Sequence, residues 1–212
     1  MPRILESVFL DGPAGRLETL HEGPGEDVEI VRAAVVCHPH PLHGGTMHNK
    51  VVFRMAKAAR EAGCAVIRFN FRGVGQSAGT HDDGKGEQDD VRTALEYARS
   101  RYPDLPVALA GFSFGSSMSA KVASKDPAVE RWVGAGLPVN RASFGFFADF
   151  RTPKFLVHST HDEFGDCDRL EAVFASTPEP KSLEWIESPD HFFADALDEF
   201  QAAVERAFRA PV

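Results

Sequence analysis

No stretch of this chain is apolar for anything near the roughly 20 residues of a membrane span. The opening Met1-Pro-Arg-Ile-Leu-Glu-Ser has no apolar core of the kind a secretory signal carries. Basic clusters are missing as well. Acids number 31 against 23 bases, a formal net charge of −8, which disfavours nucleic acid and anionic membranes as partners. Cysteine is sparse: Cys37, Cys64 and Cys167 are widely spaced and odd in number. That fits free thiols in a reducing cytosol, so a cytoplasmic location is expected. Repeats, low-complexity tracts and linkers are absent, so residues 1–212 are expected to form one domain with a two-sided core. Apolar content of 43% and charged content of 25% are ordinary for a globular protein.

What is present is organised around one stretch. Val107-Ala-Leu-Ala reads as a buried strand, Gly111-Phe112-Ser113-Phe114-Gly115 follows, and Ser116 to Ala123 reads as a helix. Gly-x-Ser-x-Gly between strand and helix is the pattern of a nucleophile elbow. Its serine must sit on a sharp turn to lift the hydroxyl clear of the backbone. Glycines on either side let strand and helix approach closely. The helix N-terminus beneath the serine favours developing negative charge.

Around this stretch the chain alternates. Ile4 to Leu10 and Leu17 to Glu22 read as an antiparallel hairpin. The uninterrupted apolar run Ala33–Cys37 reads as a central strand buried on both faces, and Ala65–Phe71, Arg131–Ala135, Lys154–His158 and Ser182–Ile186 read as further strands. Helices are expected over Asn49–Ala62, Gly86–Arg101, Asp168–Ala175 and His191–Phe208. The expected class is α/β: a mostly parallel central sheet with an antiparallel start and helices on both faces. Sites in such sheets lie at the carboxyl ends of the strands.

A serine nucleophile needs a base, and the base needs an orienting acid. In an elbow-bearing sheet they follow in the order serine, acid, histidine. His191 lies beyond every candidate acid. Asp162, at the end of the 154–158 strand, is the expected acid, with its neighbour Glu163 as fallback and Asp149 as a weaker rival. Asp190 reads as a helix cap. An oxyanion hole needs two backbone donors. Phe114 N–H is one. The other is expected from His38-Pro39-His40-Pro41-Leu42-His43-Gly44-Gly45, where the prolines have no N–H, leaving His40 first and Leu42 next. The histidines of this loop lack the carboxylate or cysteine support of a metal site, so no metal is expected, and they read as lining the mouth or bonding the loop together. Arg72-Gly73-Val74-Gly75-Gln76-Ser77 lacks the phosphate-loop pattern and reads as a structural turn, with Arg72 in a salt bridge or facing an anionic substrate.

Taken together, Cys37-His38-Pro39-His40-Pro41, Gly44 to Lys50, Asn70 to Ser77, the elbow, His161-Asp162 and Asp190-His191-Phe192-Phe193 resemble an α/β-hydrolase-fold serine hydrolase. More narrowly, the chain is similar to the small lid-less bacterial group related to dienelactone hydrolases. The resemblance implies nucleophile Ser113, acid Asp162 and base His191. Two departures stand out: serine replaces the cysteine nucleophile of dienelactone hydrolases proper, and the oxyanion loop has His-Pro where many relatives have His-Gly.

The segment between the strands at Arg131 and Lys154 is too short for a lid domain, so an open site for small substrates is expected. Leu42, Phe146 and Phe147 are the expected substrate contacts, the phenylalanines forming an acyl-pocket wall or packing on the core. The expected reaction is acyl transfer to water from small esters, without a cofactor. A thioesterase or peptidase on the same residues, and a non-catalytic binding protein of the same fold, are the alternatives.

Overall fold

The computed structural model describes residues 5–25 and 28–212. The described chain opens as a hairpin. Strands β1 (Leu5–Gly12) and β2 (Gly15–Glu22) pair antiparallel, with Gly12 facing Gly15 across the Pro13-Ala14 turn. Ile4, the expected first residue of that hairpin, lies outside the described residues. Six further strands follow: β3 (Arg32–Cys37), β4 (Cys64–Phe69), β5 (Val107–Phe112), β6 (Val129–Ala135), β7 (Lys154–Ser159) and β8 (Lys181–Ile186). They complete an eight-stranded sheet of order β1-β2-β4-β3-β5-β6-β7-β8. Only β1–β2 and β2–β4 are antiparallel; the remaining pairs are parallel.

Among the described residues five helices cover the sheet: α1 (Lys50–Glu61), α2 (Gly86–Arg101), α3 (Phe114–Ala123), α4 (Cys167–Ala175) and α5 (Leu197–Arg209). Successive strand residues point to opposite faces, and the burial follows that period. Ala33, Val35 and Cys37 join a core with α2, α3 and α4, whereas Ala34 and Val36 join one with α1 and α5. Both faces of β3 and β5 are therefore apolar and covered, as an uninterrupted hydrophobic run requires, while β4 interrupts its run with Arg68, buried on Glu22. Each Val or Leu so buried contributes about 1.5–3 kcal/mol. Trp132 fills the α3 side, its indole N–H donating to Ser119 Oγ at 2.9 Å. A Cβ at Gly134 would collide with that indole, so the glycine makes its space.

Two boundaries differ from expectation by local side-chain capture. β4 ends at Phe69, because Asn70 turns its side chain to other partners. Its Oδ1 accepts from Met47 N–H at 2.8 Å and its Nδ2 donates to Glu18 at 2.7 Å. The terminal helix starts at Leu197 and not at His191. Asp190 Oδ1 accepts from the N–H groups of both Phe192 and Ala194, at 2.9 and 3.0 Å. Phe193 and Asp195 take positive φ, which no helix accommodates. Between β6 and β7 the only helical element is a 3₁₀ turn, Gly145–Asp149, and no lid domain is inserted.

Candidate active site

β5 hands over to α3 at Ser113, which takes φ 57° and ψ −119°. A non-glycine residue held there stores on the order of 1–3 kcal/mol, a strain that concentrates at functional positions. The surroundings enforce it. Ser113 N–H donates to Ala135 O at 2.9 Å, and Ser116 Oγ donates to Ser113 O at 2.6 Å. A Cβ at Gly111 would strike the Gly115 backbone, and one at Gly115 would strike the carbonyls of Cys37 and His38. The two glycines of the motif are thus required by close backbone approach, and Ser113 is left partly exposed at the start of α3.

β7 ends in the turn that carries Asp162, and the loop after β8 carries His191. His191 Nδ1 lies 2.6 Å from Asp162 Oδ2, with both side chains almost wholly buried. Asp162 Oδ1 accepts from Phe164 N–H at 2.8 Å. Glu163 grips the same histidine elsewhere: its Oε2 accepts from His191 N–H at 3.0 Å. The imidazole is wedged between Phe112, Phe164 and Phe192, at ring distances of 4.7, 4.8 and 5.3 Å. Its Nε2 is buried and has no hydrogen-bond partner among the described residues. Gly136, beside the Ala135 carbonyl that holds Ser113, passes directly under this ring. A Cβ there would stand 2.8 Å from His191 Cε1. Ser113, through Ala135 O, and His191, over Gly136, therefore both border the end of β6.

A second histidine backs the acid. His158, fully buried at the end of β7, places Nε2 at 2.8 Å from Gly165 O and 3.5 Å from Asp162 Oδ2. Burial pushes its pKa down against the pull of Asp162, so it serves as a neutral donor.

The loop after β3 closes the other side. His38 is buried, with Nδ1 at 2.6 Å from Pro39 O and Nε2 accepting from Phe71 N–H at 3.0 Å. Desolvation lowers its pKa to about 4, which fixes it as a neutral strut between the loop and the end of β4. His40 O accepts from the N–H groups of His43 and Gly45, and Leu42 N–H donates to His40 Nδ1 at 3.2 Å. Leu42 N–H is thus engaged, while those of His40 and Phe114 have no acceptor among the described residues. The His40 ring lies 4.9 Å from that of Phe114, 4.6 Å from His43 and 5.0 Å from His81. Burial and the neighbouring His43 and His81 lower the His40 pKa. No group of three or more His, Cys, Asp or Glu among the described residues is arranged to hold a metal ion.

Other candidates fall away from this cluster. Arg72 is spent on Asp90 of α2, through its guanidinium at 2.7 Å and its own N–H at 3.0 Å, and so is structural. Phe147 does not line a pocket: it is fully buried against Trp132, Phe144 and Phe150. A large aromatic next to a tryptophan packs there because burial rewards its whole surface. Phe146 is only partly buried beside it, and Leu42 is 69% exposed on the loop after β3. Asp149 is exposed in the 3₁₀ turn, and His191 Nδ1 is on Asp162 instead. Sequence reasoning missed the division of labour between Asp162 and Glu163, the support from His158 and the clearance at Gly136. Only the placement of Gly136, directly after a strand on the site's side of the sheet, hinted at one of them.

The family model described as serine aminopeptidase, S33 (Hydrolase_4), matches residues 31–139. An uncharacterized protein of Rickettsia prowazekii (strain Madrid E) is 31% identical over 210 residues, covering 94% of this chain and 87% of that protein. Among solved structures, a lid-less α/β serine hydrolase from Xanthomonas campestris is 35% identical with a TM-score of 0.90, covering 97% of this chain and 94% of its own. An α/β serine hydrolase homologue from Coxiella burnetii is 36% identical with a TM-score of 0.88, covering 95% and 96%. No helix among the described residues is long and apolar enough to cross a membrane.

Proposed function

The chain belongs to the serine aminopeptidase S33 family of α/β-hydrolase-fold serine hydrolases, and we propose that within it Ser113, Asp162 and His191 form a triad that cleaves small esters. One observation carries the reading. The strained Ser113 shares the end of β6 with an imidazole that is locked at Nδ1 by Asp162 and left open at Nε2. An orphaned buried nitrogen costs stability on the order of 1–3 kcal/mol, and a base waiting for a hydroxyl proton requires it.

In this reading His191 Nε2 takes the Ser113 proton as Oγ attacks the ester carbonyl. Asp162 holds the tautomer and stabilises the imidazolium. The free N–H groups of Phe114 and His40 receive the developing oxyanion, reinforced by the start of α3. His191 then protonates the leaving alcohol, and water attacks the acyl-enzyme by the same route. Each donor of such a hole is worth about 10²–10³ in kcat. Both apolar cores lie against one sheet, which supports reading residues 1–212 as a single catalytic domain. The absence of a lid favours small substrates that enter directly.

Ser113→Ala is the test: it should fold like the wild type and lose ester turnover by about 10⁴-fold or more. Retained turnover would sink the assignment. The family description favours one second reading, cleavage of aminoacyl amides, with thioesters on the same chemistry. Rates on matched ester, thioester and amide decide among them. A non-catalytic binding protein of this fold has no use for a strained Ser113 or an open Nε2.

A further inference from the structure

Most arginines of this acidic chain are bound to carboxylates: Arg68 to Glu22, Arg72 to Asp90, Arg131 to Glu130. Arg141 is not. It is exposed and pairs with no carboxylate among the described residues, yet its guanidinium is held 5.4 Å over the ring of Phe164. That ring meets His191 edge-on at 4.8 Å. The charge therefore stands two ring contacts from the base, and the loop that carries it is fixed. Leu137 and Val139 are buried, Arg141 N–H donates to Pro138 O at 2.9 Å, and Asn140 N–H donates to Phe164 O at 3.0 Å. Phe164 N–H is in turn on Asp162. Asp162 and Glu163, next to Phe164 in the chain, are committed to the ring and the backbone N–H of His191.

Resting on the reading of Ser113 and His191 as nucleophile and base, we infer that Arg141 selects esters whose alcohol portion carries a carboxylate. The side matters. His191 must protonate the leaving oxygen, so groups flanking His191 meet the alcohol rather than the acyl group. A planar guanidinium offers paired N–H donors that match a carboxylate in geometry as well as charge. Its position over an aromatic face keeps it oriented without neutralising it. The His40 ring contacts those of His43, His81 and Phe114, while Arg141 supplies a permanent positive charge over Phe164, the ring that meets His191.

The test compares 3-acetoxybenzoate with the near-isosteric neutral 3-acetoxybenzamide. Water converts these to acetate plus 3-hydroxybenzoate or 3-hydroxybenzamide. The ratio of kcat/KM values, anionic over neutral, is expected to exceed one in the wild type at low ionic strength. It should fall about fivefold in Arg141→Gln, fall further in Arg141→Glu, recover in part in Arg141→Lys, and shrink with added salt. Protection of Ser113 from a fluorophosphonate by 3-hydroxybenzoate should weaken in the same order. A wild-type ratio at or below one, or a ratio that Arg141→Gln leaves unchanged, overturns the inference even with the esterase intact. A merely structural role would lower both rates together and leave the ratio where it was. Failure of both turnover and Ser113 labelling overturns the esterase reading itself, and this inference with it.

Discussion

His191 Nδ1 sits 2.6 Å from Asp162 Oδ2, and the next residue, Glu163, holds the backbone N–H of the same histidine at 3.0 Å. Two adjacent acids thus hold one histidine at two points, Asp162 at its ring and Glu163 at its main chain. The rest of the site is built around that grip.

The division predicts unequal costs. Asp162→Asn should lower kcat by about 10⁴-fold, because the amide stabilises the wrong tautomer and cannot support the imidazolium. Glu163→Ala frees only a main-chain donor and should cost about tenfold. Circular dichroism and kcat/KM on a short-chain p-nitrophenyl ester check both. Equal losses for the two variants would show that the roles are wrongly assigned.

Gly136 offers a structural lever on His191, the proposed base. With φ at +54° and a Cβ position 2.8 Å from His191 Cε1, Gly136→Ala must push the ring aside. The expected loss in kcat is about 10²-fold, the scale of a misplacement near 1 Å. Stability should fall by more than about 1 kcal/mol, since alanine is strained at positive φ. Turnover equal to wild type would show that the imidazole has room to spare.

Stability should weaken in mild acid. The His38 pKa is lowered from its ordinary value to about 4 by burial, so the unfolded chain takes up a proton that the folded chain refuses. Its contribution is fully present above the unfolded value near 6.5 and is lost as pH falls through that window to about 4. The loss reaches about 3 kcal/mol. Burial lowers His21 and His158 in the same direction, adding slope of the same sign. Urea unfolding between pH 7.5 and pH 4.5, compared with His38→Gln, measures it. A slope that the variant does not reduce contradicts the assignment.

The aromatic turn at Gly145–Asp149 should split into core and surface. Phe147→Ala removes a fully buried ring and should cost about 3–5 kcal/mol. Phe146→Ala, only half-buried, should cost under about half of that, by the same area argument. Thermal or urea melts decide it, and equal costs would return Phe147 to the surface.

Much of this was legible in the chain. The period-2 and uninterrupted apolar runs give the strands, Gly111-Phe112-Ser113-Phe114-Gly115 marks the strand-helix junction, and chain order leaves His191 as the histidine beyond the acids. What stayed illegible depends on contacts distant in sequence. The sequence favours Asp162 over its neighbour Glu163 but assigns Glu163 no partner, and only the return of the loop after β8 puts one on the ring and the other on the backbone. Phe146 and Phe147 differ only in which one meets Trp132. The start of α5 was misread because helical periodicity runs through 191–196, where the Asp190 carboxylate captures two N–H groups and the backbone turns to positive φ.

The central claim is that Ser113 is an activated nucleophile, and covalent labelling by a fluorophosphonate tests it most directly. The account predicts one probe per folded chain, on Ser113, absent in Ser113→Ala and strongly slowed in His191→Ala. Labelling that persists in Ser113→Ala, or folded protein that takes up no probe, would contradict it.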